Sequence, residues 1–253
     1  MARQEGHIQM RGTVNGLTYY RAGDGSFKVR KKGKFDPNRL ANDPDMEMVR
    51  QNISEFKKTA NAGKYLRDEL ATVLRNIADG SIGTRLFSVI SDIIKSDPVS
   101  LRGQRSAMKG NQSLLQGFQF NAKSALDSVL IAKIASTIDR VTGQVTLDIP
   151  AIVPANNIYF PTGATHAKIS TVAVAVDFET GQAESASGFT ANIPNNRVEV
   201  PAVHLVTQLE ANSTKVLLHA VGIEFINVTN GVEYPMKNKA YNSMGIVAVN
   251  PTV

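Results

Sequence analysis

The chain has 253 residues, 42% hydrophobic and 20% charged, with 28 Lys and Arg against 22 Asp and Glu and no cysteine. That is globular composition, long enough for one large domain or two smaller ones and for a core that needs no disulfide or metal staple. The lack of cysteine excludes disulfides, thiolate nucleophiles, cysteine-ligated zinc and iron–sulfur clusters together, and it suits a reducing compartment.

The first residues, Met1-Ala-Arg-Gln-Glu-Gly-His-Ile8, lack the apolar run of about 7–15 residues that a secretory signal needs. No apolar stretch reaches the roughly 20 residues of a membrane-spanning helix. The expectation is a soluble chain, cytoplasmic or within a virus-like particle, with no membrane partner. Charge is unevenly placed: residues 1–35 carry a net of +6, residues 36–140 a net of +3 and residues 141–253 a net of −3. Such polarity steers an anionic partner, or one copy of the chain toward the next.

Residues 1–35 read as a basic β-meander arm. Asn15-Gly16 is a strong two-residue hairpin signal, because both residues accept the positive φ of a type I′ turn. That loop pairs Val14 with Leu17, Gly12 with Tyr19 and Arg11 with Tyr20. A second turn at residues 22–26 leads into a strand that puts Lys28, Arg30 and Lys32 on one face and Phe27 and Val29 on the other. Three short strands bury too little apolar area to stand alone. The arm must pack on its own body, on another copy or on a different partner.

Residues 36–116 read as a helical layer. Asn42, Asp43, Pro44 and Asp45 form a start signal, with a side-chain cap, proline at the first helical position and acid in the first turn. Met46, Val49, Ile53, Phe56 and Ala60 follow at helical spacing, and Leu66, Leu70, Val73, Leu74 and Ile77 continue the stripe. One long helix, or two broken near Gly63, fit equally. The stripe seals a core or makes contacts between molecules. After Asp79-Gly80, residues Leu86, Val89, Ile90, Ile93 and Ile94 form another amphipathic helix, stopped by Asp97-Pro98.

From residue 117 the apolar period changes to two. A hairpin around Gly143 joins strands at 128–139 and 145–149, followed by strands at 157–160, 168–178, 189–193, 197–200, 215–226 and 246–249. The spacing predicts an antiparallel, immunoglobulin-like β-sandwich over 117–253. The whole chain is then α+β: an N-terminal basic β-meander arm, a central helical layer and a C-terminal antiparallel β-sandwich.

No nucleophile elbow, phosphate loop, dinucleotide fingerprint, zincin pattern or calcium loop is present. The run Gly23-Asp-Gly-Ser26 precedes no helix and reads as a plain turn. His7, His166, His204 and His219 have no second ligand at helical spacing, so no metal site is expected. Glu179, Glu184, Glu199 and Glu210 would make an acidic pair only if the fold brought two of them together. No catalytic residue, cofactor site or small-molecule substrate is evident.

The candidate contact residues are those of the arm: Arg11, Tyr19, Tyr20, Phe27, Lys28, Arg30, Lys31, Lys32 and Lys34. The cations neutralise phosphates while the aromatics stack bases, or they dock on the acidic part of a neighbouring copy, or they keep an edge strand soluble. Copies of the chain itself are the first expected partner and nucleic acid the second.

The opening Met1-Ala-Arg-Gln-Glu-Gly6, the run Gly12-Thr-Val-Asn-Gly-Leu-Thr-Tyr-Tyr20 and the segments Ala62-Gly-Lys-Tyr-Leu-Arg67, Leu114-Leu-Gln-Gly-Phe-Gln-Phe-Asn121 and Pro161-Thr-Gly-Ala-Thr-His166 carry a resemblance. The chain resembles a group of Bacteroidota proteins of similar length that has no established activity. The resemblance implies an origin and brings no site residues with it. The function expected from the residues is non-enzymatic: a structural protein that self-assembles through its arm, with nucleic-acid binding as the alternative.

Overall fold

The computed structural model describes residues 2–4, 9–33, 36–77, 79–236 and 238–252. The fold is α+β, and the chain divides into two compact units, residues 1–50 and 51–253.

In the first unit, β1 (Ala2–Arg3), β2 (Gly12–Val14), β3 (Leu17–Arg21) and β4 (Phe27–Lys31) form an antiparallel sheet in the order β1-β4-β3-β2. Asn15 and Gly16 both hold positive φ, 48° and 75°, as the two-residue turn between β2 and β3 requires. A helix not foreseen from the sequence follows, α1 (Pro37–Asn42), with Asp36 accepting from the N–H groups of Asn38 and Arg39. The start signal at residues 42–45 opens a 3₁₀ turn, Pro44–Met46, capped by Asp43, directly before α2 (Glu47–Glu69).

The second unit contains most of α2, then α3 (Ala71–Ile77) and α4 (Ile82–Lys95). The helix does not break at Gly63. It runs on to Glu69, with Gly63 on the buried face toward Ile90 and Leu86 of α4. The apolar stripe also divides. Leu66, Leu70, Val73, Leu74 and Ile77 are buried, whereas Ile53 is 50% and Phe56 63% exposed, and Ala60 is exposed as well. The buried face of α2 is that of Thr59, Ala62, Gly63 and Leu66. Six residues separate Ala60 from Leu66, which rotates the stripe by about 120° around the axis.

Two short helices, α5 (Leu126–Val129) and α6 (Pro154–Asn157), interrupt the β region. Its strands are β5 (Ala135–Asp139), β6 (Gln144–Ile149), β7 (His166–Val176), β8 (Ala183–Phe189), β9 (Ile193–Pro194), β10 (Val203–Gln208), β11 (Val216–Thr229), β12 (Val232–Pro235) and β13 (Ser243–Asn250). The long strands β7 and β11 pair antiparallel from Val216 opposite Val176 to Ile226 opposite His166. β8 and β9 flank β7, and β12 and β13 flank β11, while β10, β6 and β5 make a separate three-stranded sheet.

Period-two alternation gives the β7–β11 sheet two buried faces. Val172, Val174, Val176, Val216, Leu218 and Ala220 pack on Leu66, Leu70, Leu74, Ile77, Leu86 and Ile90 of the helices. On the opposite face, Ile169, Val221, Ile223 and Phe225 meet Leu147 and Ile149 of β6 and Leu126 and Val129 of α5. Ala173, Ala175 and Leu217 meet Val145 and Leu209.

Several expected strands differ. The strand placed at 128–139 begins only at Ala135, because residues 126–129 are helical. The strand expected at 157–160 reduces to the bridge between Leu130 and Ile158, directly after α6, where Pro154 supplies the preset φ of a first helical position. The strand at 197–200 reduces to a bridge between Ile152 and Val200. The strand expected at 189–193 is only the end of β8 and the start of β9, and β8, β10 and β12 do not stand out in the apolar pattern, since β12 is exposed throughout, β8 buries none of its residues and β10 only one in six.

Candidate interaction surface

The β3–β4 register sets the faces of the arm. Tyr20 stands opposite Lys28 and Thr18 opposite Arg30, while Tyr19 opposite Val29 and Arg21 opposite Phe27 lie on the other face. The Arg30 guanidinium sits 5.4 Å from the Tyr20 ring centroid. Those of Arg11 and Arg21 lie 5.7 and 5.8 Å from the Phe27 ring. Arg11 does not pair with Tyr20. The ladder ends at Gly12 opposite Tyr19, and the φ of +120° at Gly12 turns the preceding residue away from the strand. Lys31 pairs with Leu17, and Lys32 lies past the strand end, its N–H donating to Gly16 O at 2.7 Å. Lys34 lies outside the described residues. Arg11, Tyr19, Tyr20, Arg21, Ala22 and Gly23 line a shallow concavity of about 480 Å³.

The row of cations is partly compensated within the arm. Lys28 Nζ lies 3.1 Å from Asp24 Oδ2. Asp24 Oδ1 accepts from the Ser26 hydroxyl at 2.6 Å and the Ser26 N–H at 3.0 Å. The Ser26 hydroxyl, the Ser26 N–H and Lys28 together hold the Asp24 carboxyl well below the usual carboxylate range. The run 23–26 is therefore an aspartate-pinned turn. Arg30, Lys31 and Lys32 are exposed beyond it.

None of the described residues of the first unit is buried. Leu17, Tyr19, Phe27 and Val29 supply its apolar surface, and every one of them stays partly accessible.

Elsewhere the candidate chemical groups have structural partners. His7 lies outside the described residues. His166 Nδ1 is 2.9 Å from Thr165 Oγ1, and His204 Nδ1 is 2.5 Å from Asp148 Oδ1. His219 is fully buried, with Ser136 Oγ 2.5 Å from Nδ1 and Thr171 Oγ1 2.6 Å from Nε2, and burial lowers its pKa to about 4. Of the four glutamates, Glu184 and Glu210 come together, but Glu184 Oε1 accepts the Glu210 backbone N–H and the Glu210 carboxylate lies 3.8 Å from Lys215. Among the described residues, no three His, Asp or Glu are placed to hold a metal ion, and no helix is long and apolar enough to cross a membrane.

Sequence reasoning missed one group of residues. Beyond the edge of α3, the helix-facing side of the β7–β11 sheet opens into a concavity of about 330 Å³ that contains Asn76, Lys168, Ser170, Phe189, Glu224 and Glu233. The available signal was Glu224, a lone carboxylate inside the apolar run from Val216 to Ile226.

No protein-family model matches the chain, and no curated protein or solved structure shows significant similarity to it.

Proposed function

We propose that this chain is a non-enzymatic structural subunit that self-assembles through its N-terminal β arm into a shell, tube, filament or virus-like particle. The observation that carries this reading is the four-stranded arm sheet in which no described residue is buried. A sheet of this size needs an apolar face packed on something to be stable. A neighbouring copy supplies that surface. Strand addition at a sheet edge provides main-chain hydrogen bonds, and the exposed Arg30, Lys31 and Lys32 set register against the more acidic C-terminal part of the next chain. In this reading residues 117–253, an immunoglobulin-like sandwich, are the rigid body and the arm is the connector. The protein works in the cytoplasm or within the particle it builds, and its resemblance to Bacteroidota proteins fits a bacterial or phage setting.

A second reading is nucleic-acid binding by the same arm. It is favoured by the guanidinium–aromatic pairs Arg30–Tyr20, Arg11–Phe27 and Arg21–Phe27, which place cations beside faces on which bases stack.

Light scattering at low and high salt, with absorbance recorded at 260 and 280 nm, separates the two. The chain has no tryptophan, so co-purified nucleic acid stands out at 260 nm. Self-assembly gives a large, salt-resistant particle free of nucleic acid. Phosphate binding gives a small species that sheds nucleic acid as salt rises, through counterion release. A chain lacking residues 1–34 that still forms the same particle refutes the arm-mediated reading.

A further inference from the structure

We propose that the concavity between α3 and the β7–β11 sheet is a binding site for a small primary amine with a short apolar body. It is independent of the arm, and every residue involved lies in the second unit. Its volume, about 330 Å³, is at the low end for small-molecule sites, roughly 300–1,000 Å³.

The residues come together through strand register. Ser170 stands opposite Gly222 and Lys168 opposite Glu224, so all four share the face of the sheet that the helices cover farther along. Gly222 has no side chain, and a β-carbon there would lie 2.6 Å from Ser170 Oγ. Ser170 is 2% exposed, lines the concavity, and its hydroxyl has no hydrogen-bond partner. A buried hydroxyl left in that state costs free energy that a polar ligand atom recovers.

The charges select the ligand's sign. Lys168 Nζ lies 3.8 Å from Glu233 Oε2 and 5.8 Å from the Phe189 ring centroid, so its charge is matched by Glu233. Among the described residues Glu224 is hydrogen-bonded only by a neutral donor, Asn76 Nδ2, at 3.1 Å from Oε2. Among the described residues the lining therefore holds two carboxylates against one ammonium, with Lys239 acting on Glu224 from outside it, and Glu224 is the group that a cation completes. Burial raises the Glu224 carboxyl above its ordinary range, against the opposing effects of Asn76, Lys168 and Lys239, which is the state a bound cation relieves. A primary ammonium has three N–H donors, enough for both Glu224 and Ser170 Oγ. Val73, Ile226 and Pro235 offer the apolar wall for the rest of the molecule.

The test is calorimetric titration of the full chain with 2-phenylethylamine, and with phenylacetate and 2-phenylethanol as anionic and neutral molecules of similar shape. The amine is expected to bind at least about tenfold more tightly than either analogue, the weight of one charge-assisted hydrogen bond. Glu224→Gln is expected to weaken amine binding about tenfold or more, and Ser170→Ala several-fold, with circular dichroism unchanged in both. Equal binding of amine and alcohol, unaltered affinity in Glu224→Gln, or no amine binding by the parent chain at millimolar concentration overturns the assignment.

Discussion

Lys28 turns back on the loop that precedes its own strand, with its ammonium 3.1 Å from the Asp24 carboxylate. The basic face of the arm is thus weakened from within, while Ser26 keeps Asp24 in place whatever Lys28 does. Asp24→Asn retains an acceptor for Ser26 and releases Lys28. If the arm binds phosphates, the variant binds a single-stranded oligonucleotide more tightly, with a log–log salt slope steeper by about 0.7. If the arm joins copies through main-chain pairing, particle mass by light scattering stays as in the parent protein.

Gly63 lies in mid-helix without the conformational need that usually calls for glycine. A β-carbon there would meet Ile90 Cδ1 at 3.5 Å and Leu86 at 3.9 Å, ordinary contact distances. Gly63→Ala should raise stability by about 0.5–1 kcal/mol through reduced backbone entropy in the unfolded chain, read as a higher urea midpoint. Gly143 is the opposite case. Its φ is +75° and a β-carbon would lie 2.2 Å from Leu209 O. Gly143→Ala should lower stability by about 2 kcal/mol or more in the same assay.

His219 makes stability depend on pH. Burial lowers its pKa from the ordinary 6.5 to about 4, so the folded chain keeps the ring neutral after the unfolded chain has protonated it. The contribution is present in full above pH 6.5 and is lost progressively as pH falls toward 4. The loss amounts to about 3 kcal/mol. Urea midpoints measured between pH 7 and pH 4 should fall in the parent protein. In His219→Gln that slope should be much shallower, even though the variant starts less stable.

Arg140 joins three separate stretches of backbone. Its guanidinium donates to Lys215 O at 2.8 Å, Asn250 O at 2.9 Å and Pro251 O at 2.7 Å, and also to Ser213 O and the Asn250 side chain. Arg140→Met keeps the aliphatic stem and leaves these acceptors without their donor. The expected loss is about 3–5 kcal/mol, with faster proteolytic trimming of the last residues.

Local signals are the most legible in the sequence. Asn15-Gly16 dictates a turn by its own backbone preferences, and Leu86, Ile90, Ile93 and Ile94 mark one face of α4 without reference to the rest of the chain. Longer-range features were not legible in the same way. β8 begins with Ala183, Glu184, Ser185, Ala186 and Ser187, a polar run that becomes a strand because β7 offers it a pairing edge. Tyr19, Tyr20, Phe27, Lys28, Arg30 and Lys31 lie on the paired strands β3 and β4, but Asp24's hold on Lys28 and the displacement of Arg11 toward Phe27 depend on turn geometry.

By itself the sequence determined the α+β composition, the basic arm with its hairpin, and the long β-branched strands, because each rests on residues within one turn or one pleat of each other. Tertiary structure alone decided which half of the α2 stripe is buried, since that depends on where α4 and the sheet lie. It alone placed Lys168 and Ser170 opposite Glu224 and Gly222, residues more than fifty positions apart, because cross-strand register is set by the packing of both sheet faces at once.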